Sequence, residues 1–152
     1  MDILILNGPN LNLLGRREPE IYGSRSFEDY LQELRALFPA DRLLYLQSNH
    51  EGALIDALHE YGFGKVQGIV LNAGGYTHTS VSLRDAVAAI EVPVVEVHIS
   101  NIYAREDFRR QSLLADVCAE SIVGQGLDGY RMAVGYLKAS PQPSLEKEGE
   151  KE

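Results

Sequence analysis

The 152-residue sequence is short of several things, and each shortage excludes something. It has one cysteine, Cys118, which can form neither an intrachain disulfide nor a zinc framework, so a reducing compartment is expected. Basic residues are outnumbered, 14 Lys plus Arg against 22 Asp plus Glu, for a formal net charge of −8. Nucleic acid and anionic membrane reward the opposite surplus, so neither is expected as a partner, and any anionic ligand must be met by locally clustered cations. No apolar run approaches the roughly 20 residues of a membrane span. The start, Met1-Asp2 and four apolar residues before Asn7-Gly8-Pro9-Asn10, has neither the basic opening nor the apolar length of a signal peptide. A cytoplasmic protein is expected.

What is present is ordinary for a folded domain. A hydrophobic fraction of 45% and a charged fraction of 24% sit at globular averages, and the length fits one core. Residues 141–152 are the exception, with four Glu, two Lys and almost nothing apolar. Such a segment cannot offset its ordering entropy, so a disordered acidic tail is expected after a single domain over residues 1–140.

Short β-branched or leucine-rich runs at Ile3 to Leu6, Leu43 to Leu46, Ile69 to Leu71, Val92 to Ile99 and Ser121 to Val123 read as strands. Amphipathic stretches lie between them. Ser26 caps one whose apolar positions Phe27, Tyr30, Leu31, Leu34 and Leu37 follow helical spacing; Leu54 to Tyr61 marks a second, ended by Gly62. A third runs from about Ser80 to Ile90, and a fourth follows Gly126. This alternation predicts an α/β three-layer sandwich with a five-stranded parallel sheet in the flavodoxin-like order 2-1-3-4-5, whose ligand crevice lies beyond the carboxyl ends of strands 1 and 3.

The segments at those ends carry the chemistry. After strand 1, residues 7–23 form a connection too long for a simple strand-to-helix turn, which reads as a lid or binding loop; a solvated loop is the alternative. It matches no phosphate-binding glycine motif, so a nucleotide cofactor is disfavoured. After strand 3, Asn72-Ala73-Gly74-Gly75-Tyr76-Thr77-His78-Thr79-Ser80 places paired glycines before a helix whose exposed amides suit an anion. A glycine turn with a helix cap explains Gly74, Gly75 and Ser80 but leaves Asn72 and His78 without a purpose. Asp85, alone, reads as a solvated helix acid.

On strand 4, Glu96 and His98 are two apart and project to one side. A paired carboxylate and imidazole satisfy each other when buried, and the carboxylate favours imidazolium, which suits a general acid; a purely structural pair is the alternative. Arg105, Arg109 and Arg110, taken alone, read as an exposed, self-compensated helix. His78, His98, Asp85 and Glu96 show none of the spacings of a metal site, so no metal is expected.

Taken together, Asn7-Gly8-Pro9-Asn10-Leu11 with Gly15-Arg16-Arg17-Glu18-Pro19 and Tyr22-Gly23, Leu71-Asn72-Ala73-Gly74-Gly75 with Thr77-His78-Thr79-Ser80, and Glu96-Val97-His98-Ile99-Ser100-Asn101 with Arg105-Glu106 and Phe108-Arg109 resemble type II 3-dehydroquinate dehydratase over about Ile3 to Leu137. The resemblance implies a cofactor-free lyase that converts 3-dehydroquinate to 3-dehydroshikimate and water by anti elimination through an enolate, in the shikimate pathway of aromatic amino acid biosynthesis or in quinate breakdown. By matching position it makes Tyr22 the base, Arg17 the residue that lowers the tyrosine pKa and closes over the site, and Asn10 the holder of a water on the enolate oxygen. His98, oriented by Glu96, becomes the acid. Asn72, Ile99 and Ser100 would bind the carboxylate end, beside Gly74 and Gly75, and His78 and Arg109 the ring hydroxyls. Asp85 would reach a neighbouring subunit's site in a dodecamer of four trimers.

The chemistry of these residues is consistent with such roles. Free tyrosine, with a pKa near 10, is only about one part in a thousand ionised at pH 7. A guanidinium about 4 Å from a phenolate, at an effective dielectric near 20, is worth roughly 4 kcal/mol before solvent screening. The Schiff-base chemistry of the other dehydroquinase class has no suitable lysine among Lys65, Lys138, Lys147 and Lys151. A rival reading is a flavodoxin-like binding or signalling module that holds a small anion in the same crevice.

Overall fold

Ile3, Leu4, Ile5 and Leu6 are each at most 1% exposed, the two-sided burial of a central parallel strand. In the computed structural model, which describes residues 1–16, 20 and 25–140, they belong to β1 (Asp2–Asn7). With β2 (Arg42–Gln47), β3 (Gly68–Asn72), β4 (Val94–His98) and β5 (Glu120–Val123) it forms a parallel sheet in the order β2-β1-β3-β4-β5, the flavodoxin-like order expected. The strand expected from Val92 starts at Val94, because Pro93 has no N–H for the ladder; its carbonyl instead accepts from the Ile69 N–H at 3.0 Å.

Alternating side chains of each strand feed two cores. Ile3, Ile5, Val70, Val95 and Val97 pack on one face against α1 (Phe27–Leu37) and α4 (Asp128–Ala139). Leu4, Leu6, Ile69, Leu71 and Val94 pack on the other against α2 (Glu51–Tyr61) and α3 (Val81–Ala89). Ser26 caps α1 by accepting from the Asp29 N–H at 3.1 Å, and Ser80 caps α3 by accepting from Leu83 at 2.9 Å. Phe27, 1% exposed, stacks on Tyr45 with ring centroids 4.8 Å apart and meets Tyr130 edge-on at 4.9 Å. That packing ties α1 and α4 to each other and to β2 of the sheet.

One expectation needs correction. The arginine-rich stretch after β4 is not a solvated helix: it forms short 3-10 turns at Ile102–Ala104 and Asp107–Arg109, separated where Arg105 and Glu106 are extended. Gly74 and Gly75 precede the third helix, as expected. They begin a separate 3-10 turn, Gly74–His78, and α3 starts afresh under its Ser80 cap, so its N-terminal amides are not presented by the paired glycines. The acidic segment 141–152 lies outside the described residues, as do Arg17 and Tyr22. Among the described residues, no helix is long and apolar enough to cross a membrane.

Candidate active site

Parallel strands bring their carboxyl ends to one edge, so Asn7, Asn72 and His98 finish β1, β3 and β4 side by side. A cleft opens there. Asn10, Asn72, Gly74, Gly75, His78, His98, Ile99, Ser100 and Arg109 line it, so nine of the residues singled out from sequence are brought together. Glu96 sits behind His98 and is fully buried. Asp85 lies exposed on α3, away from this cleft.

The backbone of the first loop is shaped by two close approaches. Gly8 donates its N–H to the Asn72 carbonyl at 2.7 Å, and a Cβ at that position would stand 2.6 Å from the Ala73 carbonyl oxygen. Only glycine fits. Asn10 takes φ 70, a left-handed conformation that asparagine tolerates better than most residues, and donates its N–H to Asn49 Oδ1 at 3.1 Å. Gln47 Nε2 reaches both the Gly8 carbonyl and Asn49 Oδ1 at 3.1 Å. The loop is thereby braced by the end of β2.

Glu96 and His98 share the face of β4 that packs toward α3, and His98 Nε2 lies 2.6 Å from Glu96 Oε2. Two further donors reach the carboxylate: Ser112 Oγ at 2.5 Å on Oε2 and Ser121 Oγ, from the β5 residue in register with Glu96, at 2.7 Å on Oε1. Burial would push the Glu96 carboxyl up, but the hydrogen bond from His98, its charge, and the two serines outweigh burial and hold it below its ordinary value. The carboxylate is therefore ionised. Its bond to Nε2 leaves Nδ1 of His98 as the ring nitrogen available to a ligand.

His78 stacks beside His98, ring centroids 6.4 Å apart, and its Nδ1 lies 2.8 Å from the Gln111 carbonyl. A carbonyl only accepts, so Nδ1 carries the proton. Burial first, then the charges of His98 and Arg109, lower the His78 pKa. At neutral pH the ring is uncharged, with Nε2 as an acceptor suited to a hydroxyl. Arg109 is oriented by Glu106 at 2.7 Å and lies over the Phe108 ring, 5.1 Å from its centroid. It supplies local positive charge on an acidic chain, together with Arg105, which also lines the cleft and approaches Ser100 Oγ at 3.4 Å.

Sequence reasoning missed the segment that ties these groups together. Gln111 holds His78, Ser112 holds Glu96, and the Leu113 N–H donates to the Thr77 carbonyl at 2.9 Å. Nothing in local spacing signals this, because residues 111–113 lie between β4 and β5 whereas His78 and Thr77 follow β3 and Glu96 is on β4. Arg105 had a signal in its cationic cluster. Cys118 has no part in the chemistry: burial pushes its thiol to about 12, which leaves no thiolate near neutrality. Lys138 is paired to Asp41 at 2.6 Å, and Lys65 to Glu60 at 3.1 Å ahead of β3, at the opposite edge of the sheet from the cleft. Among the described residues, no group of three or more His, Cys, Asp or Glu is placed to hold a metal ion.

The chain is similar to known proteins in sequence and in fold. A sequence model of the family Dehydroquinase class II matches residues 1–138. A 3-dehydroquinate dehydratase of an Exiguobacterium species is 58% identical over 138 residues, covering 90% of this chain and 94% of the relative. One from Rhodopseudomonas palustris is 53% identical over 140 residues, covering 90% and 92%. The crystal structure of a type II dehydroquinase from Butyrivibrio crossotus superimposes with a TM-score of 0.88 at 46% identity, covering 91% of this chain and 98% of that one. With a cleft of this composition on a fold of this order, the chain belongs to the class II dehydroquinase family.

Proposed function

We propose that this protein converts 3-dehydroquinate to 3-dehydroshikimate and water by anti elimination through an enolate, as a cytoplasmic enzyme working without a cofactor. The observation that carries the reading is the buried Glu96–His98 pair at the floor of a cleft lined by amide, hydroxyl and guanidinium groups. Elimination requires a proton to be taken beside the ketone and another to be given to the departing hydroxyl. His98 is the donor. With Nε2 engaged by an ionised Glu96, the ring is held in one orientation as its proton leaves. The carboxylate thus positions the acid.

Tyr22 is the base and Arg17 its activator. A phenol near its ordinary pKa of about 10 supplies little phenolate at neutral pH, so an adjacent guanidinium is needed to raise that supply. Lid closure would then create the base only in the complex, which shields the enolate from solvent protons. Asn10 holds a water on the enolate oxygen. Asn72 with the backbone amides of Ile99 and Ser100, beside Gly74 and Gly75, takes the substrate carboxylate, while His78 and Arg109 take ring hydroxyls. The neutral His78 provides an acceptor where a hydroxyl offers its proton.

Asp85, exposed on α3, completes a neighbouring subunit's cleft in a dodecamer of four trimers. Light scattering should give a particle of twelve chains; a monomer with full activity contradicts this part. Tyr22→Phe separates the dehydratase from an anion-binding module. The enzyme should lose most turnover while retaining affinity for substrate, whereas retained turnover excludes Tyr22 as the base.

A further inference from the structure

Beneath the cleft, between β1, β3 and α4, a chain of polar side chains runs from Asn72 into the core. Asn7 and Tyr130 are 0% exposed and Asn72 4%. Tyr130 Oη is 2.9 Å from Asn72 Nδ2 and 2.8 Å from Asn7 Oδ1, and Asn7 Nδ2 is 3.4 Å from the Tyr45 hydroxyl. Asn72 Oδ1 accepts from the Gly74 backbone N–H at 3.2 Å. We infer that Tyr130 is a positioning residue: its hydroxyl, held by Asn7, fixes the orientation of the Asn72 amide so that this residue offers the cleft an N–H donor rather than a carbonyl.

The direction of every bond follows from one backbone amide. The Gly74 N–H can only donate, so the side-chain atom it meets must be the oxygen of Asn72. The nitrogen of that amide therefore faces Tyr130 and must donate to it. A phenol has one proton, and with its oxygen accepting from Asn72 that proton goes to Asn7, which must present its own oxygen. Burial pushes the Tyr130 phenol well above its ordinary value, so the proton is never lost. The Asn72 amide has a second N–H with no partner among the described residues, and Asn72 lines the cleft. An N–H there suits a carboxylate oxygen, and a flipped amide would present a carbonyl to it, with repulsion in place of attraction.

Asn7 and Tyr130 are 123 positions apart, so this is a tertiary device rather than a local turn. Its place in the sheet is forced: Asn7 and Asn72 are paired in register at the ends of adjacent strands, and the hydroxyl of Tyr130, whose ring packs edge-on against Phe27, bridges the two. The inference rests on Asn72 contacting the substrate carboxylate, as proposed above.

Steady-state kinetics with 3-dehydroquinate test it. Tyr130→Phe keeps the ring and removes only the hydroxyl; it should raise KM roughly tenfold with kcat little changed, the signature of lost uniform binding. Asn72→Ala should raise KM as well, and adding Tyr130→Phe to it should raise KM no further, because the hydroxyl acts only through the amide. Tyr30→Phe, which removes a hydroxyl from the same core without touching Asn72, should leave KM unchanged. A Tyr130→Phe enzyme with wild-type KM, or effects of the two substitutions that multiply, overturns the inference. Should Tyr130→Phe not fold, Asn7→Ala carries the same test: it frees the Tyr130 proton to turn on Asn72 and should raise KM, and a wild-type KM in that variant is the contrary result. Loss of all turnover in the wild-type enzyme, by contrast, overturns the functional reading and this inference with it.

Discussion

His98 Nε2 lies 2.6 Å from Glu96 Oε2, and neither side chain is more than 5% exposed. An imidazole so placed is clamped by an ionised partner, and that partner is itself clamped by Ser112 and Ser121. Removing the acid should cost the most: His98→Ala is expected to lower kcat by roughly 10²- to 10⁴-fold with KM less affected. Glu96→Gln keeps the shape and an acceptor oxygen for His98 and Ser112 but loses the negative charge and the acceptor that Ser121 meets, so kcat should fall by about 10- to 100-fold. A Glu96→Gln enzyme with wild-type kcat would show that the pair is merely structural.

The glycines of the two cleft loops should differ sharply under substitution. A Cβ on Gly8 meets the Ala73 carbonyl at 2.6 Å, whereas one on Gly75 meets nothing within 4 Å. Gly8→Ala should destabilise by about 2–4 kcal/mol, because backbone has to move, and Gly75→Ala by less than about 1 kcal/mol. Gly74, at φ +59 with Pro9 close by, belongs with Gly8. Urea unfolding measures all three, and equal losses at Gly8 and Gly75 would contradict the packing described.

How far the sequence disclosed this molecule depends on which kind of contact is asked about. Strand order and both helical faces were legible because burial imposes a period on each element, as at Phe27, Tyr30, Leu31 and Leu34. Cleft residues were legible where they sit at strand ends, as Asn72 and His98 do. The 3-10 turns after β4 were not, because the charge pattern of Arg105 to Arg110 is equally that of a solvated helix, and what breaks it is the extended backbone at Arg105 and Glu106. Ser112, Ser121 and Tyr130 were invisible for a different reason. Each acts through a partner far along the chain, and a serine or a core tyrosine carries no local mark of what it will meet.

His78 should titrate below the ordinary histidine value of about 6.5, because burial, His98 and Arg109 all oppose its charged form. Its folded pKa is lower than its unfolded one, so the unfolded chain binds more protons. The contribution to stability is thus complete above about 6.5 and is lost as pH falls through the folded value. Nitrogen-15 NMR should show the Nδ1–H tautomer at pH 7; an Nε2–H tautomer would contradict the bond to Gln111.

Asp41 gathers two cations, the Met1 amine at 3.2 Å and Lys138 at 2.6 Å, and ties the start of β1 to the end of α4. The Lys138 hydrogen bond, opposed by desolvation and aided by the amine, holds its carboxyl below the ordinary value. That stability is present above about pH 4 and lost as pH falls through the depressed folded value. Asp41→Asn should therefore lower Tm by about 2–6 °C at pH 7 and by less near pH 3, below the unfolded value. An equal loss at both pH values would mean that charge is not the cause.

The central claim is that a clamped histidine and a lid tyrosine eliminate water from 3-dehydroquinate. The most direct measurement is the rise of the enone absorbance of 3-dehydroshikimate after folded protein is mixed with fresh 3-dehydroquinate. A rise that is proportional to enzyme, that borohydride does not abolish by trapping a lysine adduct, and that disappears in His98→Ala is the predicted result. No rise with the wild-type protein, or full activity in His98→Ala, would contradict it.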